Sequence, residues 1–330
     1  MKKKILLIAS LLMLCFPVSS FAKSGTSIKQ AYINVPVINV WKDPVLRQID
    51  KPAAKKNADI EKWIKSMNYH SKLALVGKLD TQVLYGEGVL ITSQKKGWSK
   101  ISIPSQIVPG KKNGYTGWVP TEQLVFSKSF DKQQSKPFAS ITSKSALLYR
   151  DAALSKKAMN LSFNTRLPIL EIKNGNAKVI TPDGSAKWLK KGNFKAFKDS
   201  KEIPAPTGQN LVKTGRQFLN LPYLWAGLSG FGFDCSGFTY AMHRANGIDI
   251  PRDSTAQAKS GQALKKSQLK PGDLLFFAHN NGKGKVHHVA MYAGGGKMIH
   301  SPNTASSIRI DSINAPGYKN EYAGARRYYK

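Results

Sequence analysis

Nucleophilic chemistry in this chain centres on one thiol, Cys235, and two imidazoles, His288 and His300. Cys235 stands in Phe233-Asp234-Cys235-Ser236-Gly237-Phe238, where Phe238, Ala241, Met242 and Ala245 follow at i, i+3, i+4 and i+7 spacing. That spacing predicts a helix opened by Cys235, with its apolar stripe toward the core and a stop at Gly247. A thiol in a first turn meets unpaired N–H groups and the positive end of the helix dipole. With an imidazolium nearby, such placement can lower a thiol pKa from about 8.5 to roughly 3.5–7.5. Taken alone, the segment is equally compatible with a buried, inert cysteine.

The histidines tip that balance. Val286-His287-His288-Val289-Ala290-Met291-Tyr292 runs into Gly294-Gly295-Gly296 and then Lys297-Met298-Ile299-His300, a hairpin pattern. Two registers fit. A loop of the three glycines places His288 near Pro302, and a loop over 293–295 places it opposite His300. Both put His288 and His300 on one face, at most a diagonal apart, with His287 on the other face unless a bulge intervenes. Two histidines on a face could hold a metal, but no carboxylate or third histidine stands at ligand spacing, so no metal and no cofactor are expected. A nucleophile at a helix start, a base on a strand and an orienting group beside it is the geometry of thiol hydrolases.

The elements that must position these groups occupy the last part of the chain. Helices are expected at 210–219 and 235–245, then strands at 274–277, 286–292 and 297–300, an α+β arrangement. Lys198 to Pro206 reads as a linker. Before it the text is strand-like from residue 28 to 126, with Leu73-Ala74-Leu75-Val76 among the expected strands. Its one helical stretch is 57–69, where Ile60, Trp63, Ile64 and Met67 form a core stripe. A second stretch repeats the style with strands at 141–149, 167–172, 177–181 and 186–189. Both stretches contain a Gly-Trp/Asn-x-Lys-Ile/Val strand, a turn, then a Trp-Val/Leu strand: 98–118 in the first and 176–188 in the second.

The first residues read as an export signal over 1–22: Lys2-Lys3-Lys4, an apolar run, then small residues at Ser20 and Ala22. The only other cysteine, Cys15, lies inside it, so an exported chain keeps Cys235 without a disulfide partner. The formal net charge is +32, or about +29 without the three lysines of that signal, which suits an anionic envelope, with wall polymers as a second class of partner. No later run is long enough for a membrane helix, and no nucleic-acid motif is present. A secreted, wall-associated monomer is expected.

Five motifs in order over 207–330 resemble the NlpC family of cell-wall cysteine peptidases. They are Leu221-Pro222-Tyr223-Leu224-Trp225-Ala226-Gly227, the Cys235 segment, Ile250-Pro251-Arg252-Asp253-Ser254-Thr255-Ala256-Gln257, Leu269-Lys270-Pro271-Gly272-Asp273-Leu274-Leu275-Phe276-Phe277, and His288 through His300. Ala226 departs from the pattern, standing where the family commonly has a second glycine. The two earlier stretches resemble bacterial SH3-like barrels, at 23–127 with a helical insertion and at 137–197. The whole is similar to γ-D-glutamyl-L-diamino acid endopeptidases of spore-forming bacteria.

The resemblance implies a papain-like catalytic domain, with Cys235 as nucleophile, His288 as base and His300 orienting it. The Cys235 N–H and the Tyr223 hydroxyl would serve the oxyanion. Substrate contacts are implied for Tyr223, Trp225, Asp234, Ser236, Asp253, Ser254 and His287. Tyr223 and Trp225 are alternatively core aromatics, and Asp234 a helix cap. Enzymes of this type act on peptidoglycan stem peptides, and a free N-terminal L-Ala would need an acidic partner: Asp253, or Asp80 with Tyr115 if the first barrel roofs the cleft. Cleavage of intact wall, an amidase or acyl-transfer variant, and a non-catalytic wall-binding protein are the alternatives.

Overall fold

The computed structural model describes residues 29–330; the expected export signal lies outside them. The first barrel is a seven-stranded antiparallel sheet. Its order is Leu79–Leu84, Val37–Trp41, Tyr115–Pro120, Trp98–Ile103, Gly88–Lys95, Lys29–Ile33 and Leu124–Val125. The second barrel, from Phe138–Ile141 to Phe194–Phe197, has seven strands in the same order of connection. The repeated motif fills equivalent places in both. Lys96-Gly97 and Asn174-Gly175 all have positive φ, making matching two-residue hairpin turns before Trp98 and Asn176. Two residues into the following strand, Lys100 lies over Trp118 and Lys178 over Trp188, each 5.9 Å from the ring centre.

Several expectations shift here. The 57–69 helix divides into Ile60–Ser66 and Tyr69–Leu73, because Met67 turns extended and the Asn68 side chain caps a new start at Ser71 N–H. The apolar stripe still packs, with Ile60, Trp63, Ile64 and Met67 all buried. Leu73 to Val76 is no strand: it is the end of that second helix and a turn, and only Leu75 is buried. In the second barrel 141–149 is two strands, Phe138–Ile141 and Ser145–Tyr149. Strands Lys157–Ser162 and Phe194–Phe197 were not foreseen; both present mostly half-exposed residues and lack a clean alternation.

The C-terminal part packs two main helices, Gly208–Arg216 and Cys235–Ala245, against a six-stranded sheet. The sheet order is Gln262–Leu264, Tyr322–Arg327, Leu274–Ala278, Val286–Gly294, Lys297–His300 and Arg309–Ser312, all antiparallel. Phe238, Ala241 and Met242 of the Cys235 helix enter one core with Leu274, Phe276, Val289, Met291 and Ile299. The helix thus presses on the face of the histidine strands, which is what brings its first turn to His288.

Candidate active site

A single cleft collects Cys235, His288 and His287 with Tyr223, Trp225, Asp234, Ser236, Asp253, Ser254, Asp80 and Tyr115. Cys235 is the first residue of its helix. Asp234 is the N-cap, its carboxylate accepting from the Gly237 N–H at 2.6 Å. The same carboxylate accepts from Arg252 at 2.7 and 3.2 Å, and Arg252 also donates to Ser236 Oγ at 2.9 Å. Asp234 therefore both caps the helix and pairs a buried guanidinium. Gly237 has to be glycine, since a Cβ there would lie 2.1 Å from the Gly227 carbonyl oxygen.

His288 sits across the cleft on its strand. Met291 pairs with Ile299 and Tyr292 with Met298, the register that sets His288 level with Pro302 and diagonal to His300. The turn is tighter than three glycines: Gly294 pairs with Lys297, and the slack is taken by a register shift after Tyr292. His288 Nε2 lies 2.8 Å from His300 Nδ1, and His300 Nε2 lies 3.0 Å from Asp311 Oδ2. Arg309 Nε donates to the same Asp311 oxygen at 2.8 Å. Because a carboxylate only accepts, His300 carries its proton on Nε2 and accepts at Nδ1 from His288 Nε2–H. The Nδ1 of His288 is then left as an acceptor. Asp311 was absent from the sequence reading. Its strand is short and half-exposed, and it reaches His300 only through the pairing of His300 with Arg309.

Burial works against the thiolate form that the helix start favours. Part of Cys235 is open to the cleft, yet the protein packed around it pushes its thiol up to about 12, the Asp234 carboxylate adding to the push. N–H groups of Val289 and Ser236 and the Arg252 charge act in the opposite direction. Burial, then His300 and His287, hold His288 well below the usual histidine range. Burial also lowers His300 against the pull of Asp311. Burial thus favours the neutral form of both the thiol and the imidazole, and at Cys235 it acts against the dipole of the helix start. Tyr223, buried, is held further into its protonated form, so it remains a hydrogen-bond donor.

The same cleft is lined by Asp80 and Asp253, with the Tyr115 hydroxyl beside Asp253. Burial pushes both carboxyls up; the Asp253 charge adds to the push on Asp80, and the Asp234 charge to that on Asp253. Asp80 and Tyr115 come from the first barrel, which is fastened here by polar contacts. Arg252 Nε donates to Thr81 Oγ1 at 3.0 Å, Trp225 Nε1 to the Leu79 carbonyl at 2.8 Å, and Arg244 to Glu87 at 2.6 Å.

His287 does face the cleft, through a bulge. Phe277 pairs with His288 but Ala278 pairs with Val286, leaving His287 as the extra residue. Its ring stacks on His279 at 4.3 Å, and its Nε2 lies 3.1 Å from Glu321 Oε2. His279 and Glu321 had not been singled out, and the carboxylate and third histidine missing from the sequence pattern gather here rather than around His288.

A thiol, a base and an orienting dyad on a helix-plus-antiparallel-sheet domain behind two SH3-like barrels define a cysteine peptidase class. The NlpC/P60 family model matches residues 220–327. A YKFC SH3b2 domain model matches 141–197 and a bacterial dipeptidyl-peptidase Sh3 domain model matches 76–124. The γ-D-glutamyl-L-lysine dipeptidyl-peptidase of Bacillus cereus is 44% identical over 319 residues, 95% of this chain and 96% of that protein. The protein of the same name from Bacillus subtilis is 40% identical over 298 residues, 89% of this chain and 97% of its own. A crystal structure of an NlpC/P60 family protein from Bacillus cereus superposes with a TM-score of 0.89 at 44% identity, covering 92% of this chain and 100% of that one. This chain belongs to the NlpC/P60 family.

Ala226, the departure from the family pattern, has φ 60. That is the left-handed region, where glycine is free and alanine is strained, which is a physical reason for a glycine at this position.

Proposed function

We propose that this chain is a secreted cysteine peptidase that hydrolyses the γ-D-glutamyl–L-diamino acid bond of peptidoglycan stem peptides whose N-terminal L-Ala is free. The observation that carries the reading is the pair of carboxyls in the cleft, where Asp80 and Asp253 stand with Tyr115. Two half-buried carboxyls, both pushed up by burial and by neighbouring negative charge, are a receptor for an ammonium group, which would relieve both. A glycan-linked L-Ala carries no such charge. The names of both Bacillus relatives support the bond assigned.

In this reading Cys235 passes its proton to His288 Nδ1 as sulfur attacks the D-Glu γ-carbonyl. The oxyanion accepts hydrogen bonds from the Cys235 N–H at the helix start and from Tyr223. Collapse expels the diamino acid, whose amine takes the proton back from His288, leaving a thioester. Water then gives its proton to His288 and attacks, and sulfur leaves as thiol, freeing L-Ala-D-Glu. His300 and Asp311 keep His288 in the tautomer that can accept at Nδ1. Export is supported by the N-terminal pattern, and retention at the wall by the charge of +32. Release by high salt tests that retention.

Mass spectrometry of products from two matched stems, one free and one still on glycan, is the primary test, with Cys235→Ala as blank. Release of L-Ala-D-Glu from the free peptide alone is expected. Asp80→Asn should raise KM for that peptide about 10- to 100-fold, the value of one charge-assisted contact of about 1.4–2.8 kcal/mol. Cleavage of both stems at equal rates would make the enzyme a hydrolase of intact wall, and cleavage of neither would leave a wall-binding protein.

A further inference from the structure

We propose that His279, His287 and Glu321 form a divalent metal site of the zinc class on the rim of the catalytic cleft, and that its occupancy shuts out substrate. Three separate pieces of backbone converge there. His279 follows the strand Leu274–Ala278, His287 is the bulged residue of Val286–Gly294, and Glu321 ends the short helix Tyr318–Glu321. Their ligand atoms all lie within 4.8 Å of one another, and all three residues line the same cleft.

Two imidazoles and a carboxylate with an open fourth position are a recurrent zinc donor set, whereas calcium and magnesium prefer oxygen alone. Metal–ligand bonds of about 2.0–2.2 Å in a tetrahedron require donors about 3.3–3.5 Å apart. His287 Nε2 and Glu321 Oε2, hydrogen-bonded at 3.1 Å, need to part by only a few tenths of an ångström to meet it. Only His279 has to close in, and it is an exposed residue at the mouth of a turn through Asn280, Asn281 and Gly282, all of positive φ.

The net charge of +32, with Lys285 and Arg309 in the same cleft, opposes any cation. That opposition is screened beyond about 8 Å at physiological ionic strength, whereas coordination acts at bond length. A metal here would withdraw His287 from the substrate face. It would also place positive charge beside His288, against the imidazolium that proton transfer must form.

The test is calorimetric titration of zinc chloride into tag-free Cys235→Ala protein, in which no thiol remains to hold metal with His288. One zinc per chain is expected. His279→Ala or Glu321→Gln in that background should weaken binding at least tenfold, and His288→Ala should leave it within threefold. Cobalt should report the same site by visible d–d absorption that disappears with His279→Ala. In the Cys235-containing enzyme, zinc should inhibit competitively with the peptide, with a midpoint at least tenfold higher in His279→Ala. Absence of binding to Cys235→Ala overturns the proposal. So does binding that survives both His279→Ala and Glu321→Gln, binding that is lost with His288→Ala, or inhibition indifferent to His279.

Discussion

The two barrels share strand order, the positive-φ hairpin turn and the lysine laid over a tryptophan, but the contacts that matter to the site differ, although Leu224 and Ala226 also pack into the first barrel's core and the Gly230 N–H also donates to Ser162 Oγ of the second at 2.9 Å. The first barrel holds on with directional polar contacts that end at the site: Thr81 to Arg252, Leu79 to Trp225, Glu87 to Arg244. The second holds on with an aromatic file. Phe163 stacks edge-on to Phe218 at 5.0 Å, Phe218 to Phe233 at 5.0 Å, and Phe233 to Phe238 of the Cys235 helix at 6.0 Å. Its backbone also comes close, since a Cβ on Gly230 would lie 2.0 Å from the Lys144 carbonyl oxygen. One copy of the fold has become a wall of the cleft and the other a support behind it. Hydrogen bonds and ion pairs set angles and distances, while apolar burial is non-directional and supplies stability.

That division can be broken at its strongest point first. Arg252→Met removes the partner of buried Asp234 and the link to Thr81 together. A loss of about 3–5 kcal/mol in denaturant unfolding is expected, with kcat/KM down at least 100-fold as Asp80 and the helix cap lose their register. A variant of full stability would show that the clamp is decorative. Phe163→Ala should cost about 3–5 kcal/mol through the cavity it leaves, yet keep kcat/KM within about threefold. Equal damage to kinetics would place the second barrel in the site and erase the contrast.

The pH profile sharpens the same comparison. His288 must be neutral to accept the thiol proton, and its pKa is held well below 6.5. Activity should therefore stay level as pH falls through 6.5 and drop only in more acidic buffer. No rise is expected between pH 8 and 9, because the thiol lies up at about 12. Phe163→Ala should reproduce this profile, as the second barrel contributes no titrating group to the cleft. Ala226→Gly is the smallest effect. Relief of the left-handed strain is partly offset by lost methyl burial and a freer unfolded chain, for a gain under about 1 kcal/mol in thermal unfolding.

How much of this was legible varies with the distance over which each contact acts. The helix from Cys235 to Ala245 was visible to the residue, since its periodicity and its cap are local. The shared face of His288 and His300 followed from strand parity, whichever register was adopted. His287 was undecidable, because one bulge reverses its direction. Asp311 and Arg252 carried no local signal as a positioning acid and a clamp; each acquires its role from a partner on another element, and for Arg252 one partner, Thr81, belongs to another domain.

The amino-acid order alone singled out Cys235, His288 and His300, the repeated barrels and the face on which the histidines meet, because motifs, periodicity and turn chemistry act over a few residues. Only tertiary structure decided that burial favours the neutral thiol, that Asp311 bonds the histidine pair, and that the first barrel lines the cleft while the second packs behind it. These depend on burial and on contacts between residues up to 171 positions apart, and no local pattern encodes the dielectric or the neighbours a side chain will meet once the chain has packed.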